Sequence, residues 1–138
     1  MNNLQNNEKL TTALFIGANN IKSEEEKIKF FDNVISCEVK IDQIMGQRKK
    51  IKCAYIDKQR LEKQTGFEIT NRLVFAFEDG SYCMTFSEGI FIAFKRLVAI
   101  FGEPPYNFYV TFKEVNKGKS RVYTIEISKE GEAEDETK

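Results

Sequence analysis

The stretch ITNRLVFAFEDGSYCMTFSEGIFIAFKRLVAIFGEPP, residues 69–105, decides the fold class of this 138-residue chain. Residues 69–77 are rich in strand-forming side chains, and residues 82–86 form a similar, shorter run. The turn sequence EDGS lies between them, and an Asp-Gly step between two such runs is a strong signal for a β-hairpin. The stretch therefore predicts two antiparallel strands joined by a tight turn.

The second half of the same stretch predicts an amphipathic helix. Ser87 suits the N-cap and Glu88 the first turn, where the helix dipole favours an acid. Apolar residues recur at helical spacing up to Phe101, so one face of the helix is continuously apolar. Gly102 suits the position after the last turn, and the Pro-Pro pair beyond it prevents the helix from resuming. We expect this helix to plug a β-barrel.

The flanking segments add further strands. Residues 10–17 and 51–56 are short apolar runs, and residues 108–113 and 121–127 flank the turn sequence NKG, which predicts a second hairpin. Apolar and polar residues alternate over 35–41 with the period of a half-buried strand.

Two shorter signals complete the secondary structure. Ser23 stands three residues before Glu26 in a capping box, which predicts a short helix from Glu24 to about Phe31. Residues 57–67 are polar and basic and are predicted to be a connecting loop.

This order of elements predicts a mainly β domain, an OB-fold-like five-stranded Greek-key barrel with one α-helix between strands 3 and 4. The N-terminal third supplies one strand more than such a barrel needs, so a β-sandwich with a helix across one end stays open as an alternative. We expect the domain to span residues 10–129. A flexible arm rich in Asn and Gln, residues 1–9, would precede it, and a disordered acidic tail, residues 130–138, would follow.

Composition argues against catalysis. The chain contains no histidine, which removes the commonest general base and the commonest metal ligand. Phosphate-binding glycine motifs and zinc-type cysteine spacing are absent, so we predict no enzymatic activity, no cofactor and no metal. The cysteines Cys37, Cys53 and Cys83 are expected to be small buried residues in a reducing compartment. Since no apolar run approaches about 18 residues and no signal-peptide pattern is present, we expect a cytoplasmic protein that does not contact membranes.

Charge is unevenly distributed although the formal net charge is zero. The last nine residues hold five acids and one base, which leaves 20 bases against 16 acids in the rest of the chain. Residues 40–72 alone hold nine bases and four acids. Phosphate binding needs such a surplus, because the release of counterions supplies much of the affinity. A second basic turn, around Gly118, would join strands four and five of an OB-fold, where ligand-binding loops lie.

Aromatic residues favour single-stranded over duplex DNA as the ligand, because unpaired bases stack on exposed rings and the sequence has no basic helix for the major groove. We expect the first hairpin to turn its large rings outward and its small residues inward, which would form a stacking surface. The reverse arrangement, with the Phe row in the core, stays open. The predicted base-stacking residues are Tyr55, Phe75, Phe77 and Tyr82. The predicted phosphate-binding residues are Arg48, Lys49, Lys50, Lys52, Lys58, Arg60, Lys63, Arg72, Lys117, Lys119 and Arg121.

Residues 69–105, together with the hairpin sequence KEVNKGKSRVYTIEI, resemble small OB-fold single-stranded DNA-binding proteins of Gram-positive conjugative plasmids and phages, the PrgE-like type. The resemblance covers residues 33–127 and lies in element order and general character. It implies sequence-tolerant DNA binding during plasmid or phage replication and conjugation, and homo-oligomers linked through the arm, residues 1–9. The chain ends in EDETK, without the acidic-then-hydrophobic tip of bacterial housekeeping single-strand binders, so recruitment of repair partners through such a tip is not implied.

Two other function classes stay open. A protein-interaction accessory module without nucleic-acid binding would use the charges as ordinary surface and the aromatics as core. A metal-dependent nuclease would need the fold to bring scattered carboxylates together. The residues also leave open whether duplex DNA or RNA is bound, and the acidic tail is expected to contact basic partners or to compete with DNA for a basic groove.

Overall fold

The computed structural model describes residues 13–129, which form a mainly β protein with two antiparallel sheets and two α-helices. The predicted arm, residues 1–9, and the predicted acidic tail, residues 130–138, lie outside the described residues. The strands are β1 (Leu14–Ile16), β2 (Arg48–Lys49), β3 (Ile51–Lys63), β4 (Gly66–Phe77), β5 (Tyr82–Thr85), β6 (Phe108–Lys117) and β7 (Ser120–Lys129). The α-helices are α1 (Glu24–Ser36) and α2 (Glu88–Phe101), and short 3₁₀ helices span Ala18–Asn20 and Ile41–Ile44.

The two sheets share one stretch of chain. The first sheet has the strand order β1-β3-β4-β5 and the second has the order β2-β6-β7. Lys50 alone separates β2 from β3, so residues 48–63 contribute to both sheets. The β3–β4 and β6–β7 hairpins each close with two residues, 64–65 and 118–119. The predicted hairpins at EDGS and NKG are both confirmed, and the second is longer than predicted.

The main core collects side chains from both sheets and from α2. Its aromatic centre is Phe75, whose ring centroid lies 5.2 Å from that of Phe94 in α2 and 5.4 Å from that of Phe112 in β6. The predicted caps of α2 are confirmed: the Ser87 hydroxyl accepts a hydrogen bond from the Ile90 N–H, and the helix ends at Gly102. Helix α2 therefore packs into the main core, as its apolar face predicts.

A smaller cluster lies on the other face of the first sheet, beneath α1. Phe30 is the one residue of α1 that is buried, and it packs with Ile21, Cys53 and Ala76. The first sheet is consequently covered on both faces, by the main core on one side and by α1 on the other.

Two predictions about secondary structure are wrong. The helix predicted from Glu24 to about Phe31 is present as α1, but it continues to Ser36 and so occupies the start of the segment 35–41, which was predicted to be a strand. Helical spacing puts Phe30 and Val34 on one face, and burying that face against the sheet outweighs the alternating pattern. The predicted loop at 57–67 is instead the extended end of the β3–β4 hairpin.

The predicted closed barrel is also not observed. Within residues 13–129 no ladder joins β5 to β7, so the sheets remain two separate, three- and four-stranded layers. Seven strands rather than five are present, because β1 adds to the edge of β3 and the two-residue strand β2, which precedes β3, pairs with β6.

Candidate nucleic-acid interface

The rings that were predicted to form one stacking surface are divided between two faces of the first sheet. Phe75 and Phe77 point into the main core and are 0% and 2% exposed, so the prediction that they stack on bases is wrong. Tyr82 lies opposite Ala76 in the β4–β5 ladder, which puts it on the other face, and Tyr55 lies on that face as well.

The physical reason for this arrangement is volume. Large rings fill the wide space between the two sheets and α2, where close packing is needed. The small residues of the same strands, such as Val74 and Ala76, face α1 and allow that helix to approach the sheet. The prediction assigned the large and small rows to the wrong sides.

The two tyrosines of the outer face stand around a phenylalanine of α1. The Phe30 ring lies 5.8 Å from that of Tyr82 and stacks on Phe15 at 4.8 Å with an interplanar angle of 10°. Phe15 in turn meets Tyr55 edge to face at 6.3 Å. Burial raises the pKa of both tyrosines, which are half-buried. These rings therefore contact one another in the folded chain instead of facing solvent freely.

Many of the predicted phosphate-binding cations are paired with carboxylates. Of the nine bases in residues 40–72, five form such ion pairs with carboxylates that lie within residues 13–129, namely Lys49–Asp79, Lys52–Glu26, Arg60–Glu62, Lys63–Glu68 and Arg72–Asp57. An ion pair at the surface contributes about 0–1 kcal/mol, so phosphates can replace the carboxylates of the exposed pairs.

Arg72 differs from the other paired cations. Its side chain is 12% exposed, bonds Asp57 through two nitrogens, and donates a third hydrogen bond to the Val34 carbonyl oxygen of α1 at 2.6 Å. The structure thus places Arg72 beneath α1, where it ties the helix to the sheet, and not on an exposed surface.

Other predicted cations face solvent. Lys58, Lys117 and Lys119 are exposed and form no ion pair with any residue between positions 13 and 129. Lys50, in contrast, is half-buried, and its ammonium lies 5.1 Å from the centroid of the Tyr109 ring.

The two basic turns leave the shared stretch of chain in opposite directions. Arg48 pairs with Thr111 in an antiparallel ladder, so β6 runs towards its turn while β3 runs the other way. Arg121, just beyond that second turn, lies 3.6 Å from Glu114.

Beyond the core, the β3–β4 hairpin carries two residues that the sequence reasoning missed. The guanidinium carbon of Arg60 lies 3.9 Å from the centroid of the Phe67 ring, and Phe67 and Ile69 are 55% and 54% exposed. The register pairs Arg60 with Ile69 and Glu62 with Phe67, so all four share one face. We call residues 58–71 the hairpin arm. The alternation of apolar and polar residues after Gly66 was the sequence signal that could have identified these two residues.

Among the residues that the structure describes, no group of three His, Cys, Asp or Glu side chains is placed to hold a metal ion. Cys53 and Cys83 are buried, as predicted, whereas Cys37 is half-buried. Burial raises the pKa of the Cys53 thiol to about 12. None of the described helices has the length and apolar character needed to cross a membrane.

A comparison of the chain with protein-family models, curated proteins and solved structures finds no match. A function must therefore be inferred from the residues of this chain.

Proposed function

We propose that this protein is an OB-type domain that binds single-stranded DNA without sequence preference, through the hairpin arm. The observation that carries the proposal is the exposed pair of Arg60 and Phe67. A ring in that position can stack on an unpaired base, and the neighbouring guanidinium can contact the phosphate chain or the face of a base.

The topology supports the OB-type assignment. A stretch of chain, residues 48–63, that contributes to both sheets, two hairpins, and a helix between β5 and β6 follow the order of that fold. In such a fold β2 and β3 together are the first strand, and the hairpin arm is the loop that joins strands one and two. The likeness in element order to single-strand binders of plasmids and phages supports a role in the processing of such DNA in the cytoplasm.

The distribution of cations supports an extended, single-stranded ligand. Lys58 stands on the hairpin arm, and Lys117 and Lys119 stand at the opposite turn, all exposed. The two turns belong to hairpins of different sheets, and a flexible polymer can contact the exposed cations of both. Exposed ion pairs on the arm, such as Lys63–Glu68, are weak enough to exchange their carboxylate for a phosphate.

The test is a titration of labelled oligo-dT, by fluorescence anisotropy, over a range of salt concentrations. Phe67→Ala should weaken binding by about 5- to 100-fold, because a stacked base contributes about 1–3 kcal/mol, without changing the salt dependence. Arg60→Gln should lower the slope of log K against log salt by about 0.7, the value for one phosphate contact on a single strand.

Arg96→Gln is the matched control for Arg60→Gln. Arg96 is an exposed arginine on α2 and does not belong to the hairpin arm. The substitution makes the same chemical change and should leave the slope of log K against log salt as it is. If the wild-type protein shows no salt-dependent affinity for oligo-dT, or if both arginine variants lose the same amount, the proposed function is wrong.

A protein-interaction module is the second candidate, and one observation favours it. Ile28, Phe31 and Ile35 form a stripe at helical spacing on α1, and each is more than half exposed. An exposed apolar stripe of this kind is typical of a contact with another protein. Tyrosine fluorescence separates the two candidates: stacked bases quench it on addition of oligo-dT, whereas a protein adaptor shows no change.

A further inference from the structure

The outer face of the first sheet carries the groups that a single strand needs, and α1 covers them. Tyr55, Tyr82 and Phe15 supply ring faces, and Lys52 supplies a cation at the edge of the same face. Both phosphate contact and base stacking are thus provided within one patch, which is separate from the hairpin arm.

Phe30 of α1 occupies the place that a base would take among these rings. Its ring is stacked on Phe15 at 4.8 Å and 10°, a geometry that flat aromatic groups adopt when they stack. It also lies 5.8 Å from Tyr82, so one ring of the helix contacts two rings that belong to the rest of the domain.

Glu26 of α1 occupies the place that a phosphate would take. Its carboxylate accepts a hydrogen bond from the Lys52 ammonium at 2.6 Å. That bond, together with backbone donors from Ser23 and Lys22, holds the pKa of Glu26 down at about 2, so the group is an anion at neutral pH. The carboxylate therefore neutralises the cation nearest to the rings.

The attachment of α1 to the sheet rests on few contacts, which include the Glu26–Lys52 ion pair and the hydrogen bond that Arg72 donates to the Val34 carbonyl oxygen. Phe30 is its one buried side chain, and the stripe of Ile28, Phe31 and Ile35 faces away from the sheet. The capping box is formed by Ser23 and Glu26, which are the N-cap and a first-turn residue of α1. The helix therefore keeps this cap when α1 leaves the sheet.

We infer that α1 is a displaceable cover over a second binding face for single-stranded DNA, in which Phe30 stands in for a base and Glu26 for a phosphate. The inference rests on the proposed function, because it assumes a single-stranded ligand. Binding to this face requires α1 to open, so the apparent affinity equals the intrinsic affinity multiplied by the fraction of molecules in which α1 is open.

The experiment compares Glu26→Gln with Glu25→Gln in the full chain, with labelled oligo-dT as the probe. Both substitutions remove one negative charge from the first turn of α1, but Glu26 contacts Lys52 whereas Glu25 is exposed and has no ion pair within residues 13–129. We expect Glu26→Gln to bind about two- to five-fold more tightly than Glu25→Gln, since an exposed ion pair holds the closed state to about that extent. Adding Lys52→Gln should remove the gain.

Equal affinity of Glu26→Gln and Glu25→Gln, with wild-type binding that still depends on Arg60, overturns the inference and leaves the proposed function standing. Absence of binding in all of these proteins overturns both. Circular dichroism on each variant confirms that the fold is retained.

Discussion

Helices α1 and α2 both begin at a serine N-cap followed by acidic residues, yet they attach to the sheets in different ways. Three residues of α2 are buried in the main core, namely Ile90, Phe94 and Leu97. One residue of α1, Phe30, is buried. Capping thus determines where a helix starts, while the number of side chains it buries determines how firmly it is held.

The two helices also differ in how closely their backbones approach the neighbouring strands. In the first turn of α2, Gly89 lies so near the carbonyl oxygen of Tyr123 in β7 that a Cβ atom would overlap it. Helix α1 contains no glycine, and its Phe30 ring packs between Phe15 and Tyr82 on the outer face of the sheet. Helix α2 therefore belongs to the core, whereas α1 lies on its outside, where a ligand can compete with it.

The largest expected difference between the helices is in their core phenylalanines. Phe94→Ala should lower the free energy of unfolding by about 3–5 kcal/mol, because the ring is enclosed by the main core. Phe30→Ala should cost less, about 2 kcal/mol, since α1 can settle onto the sheet and reduce the cavity. Urea denaturation followed by circular dichroism measures both, and equal losses would contradict the contrast between the helices.

Gly89→Ala tests the close approach of α2 to β7. We expect a loss of about 1–3 kcal/mol in the free energy of unfolding, because the strand or the helix must shift to admit the methyl group. At an unconstrained helix position the same substitution stabilises by about 1 kcal/mol. A rise in stability would therefore show that the contact with Tyr123 is not tight.

The two N-caps provide a smaller test. Ser87→Ala and Ser23→Ala should each cost their own helix about 1 kcal/mol. For Ser87 the loss should appear in the global free energy of unfolding. For Ser23 it should appear as faster hydrogen exchange of the α1 amides, because we expect α1 to open without the rest of the domain. Identical effects of the two variants on global unfolding would mean that α1 does not open separately.

The expected effect of pH on the attachment of α1 to the sheet is smaller still. The bond from Lys52 holds the pKa of Glu26 at about 2, below its ordinary value of 4.5. A depressed pKa in the folded state means that the stabilisation is present above pH 4.5 and is lost as the pH falls towards 2. The protection factors of the α1 amides, which are corrected for the intrinsic exchange rate, should fall in that range before those of α2 do. Glu26→Gln should abolish this difference, and a wild-type profile that matches the variant would refute the assignment.

The three cysteines supply the least perturbing test. Cys53 lies beneath α1, Cys83 lies in the main core, and Cys37 follows α1 and is half-buried. We expect a thiol reagent to label Cys37 first, then Cys53 when α1 opens, and Cys83 last. Mass spectrometry measures the rate of labelling at each cysteine. Equal rates at Cys53 and Cys83 would indicate that the two faces of the first sheet open together.

Local signals in the sequence were sufficient for most of the elements. The Asp79-Gly80 turn, the capped helix from Ser87 to Gly102 and the second hairpin are all present as predicted, because each depends on residues close together in the chain. The start of α1 at Ser23 belongs to the same class. The length of α1 does not, since it depends on contacts that Phe30 makes with the sheet.

The sequence by itself therefore determined a mainly β chain with two hairpins, a buried helix and an uneven charge distribution. Only the tertiary structure decided that Phe75 and Phe77 face inward and that Lys52 and Arg72 lie against α1. The alternating pattern of a strand shows which residues share a face, but it does not show which of the two faces is covered. That depends on which distant segment packs there, and in this protein α1 covers the face that the small residues had marked as the interior.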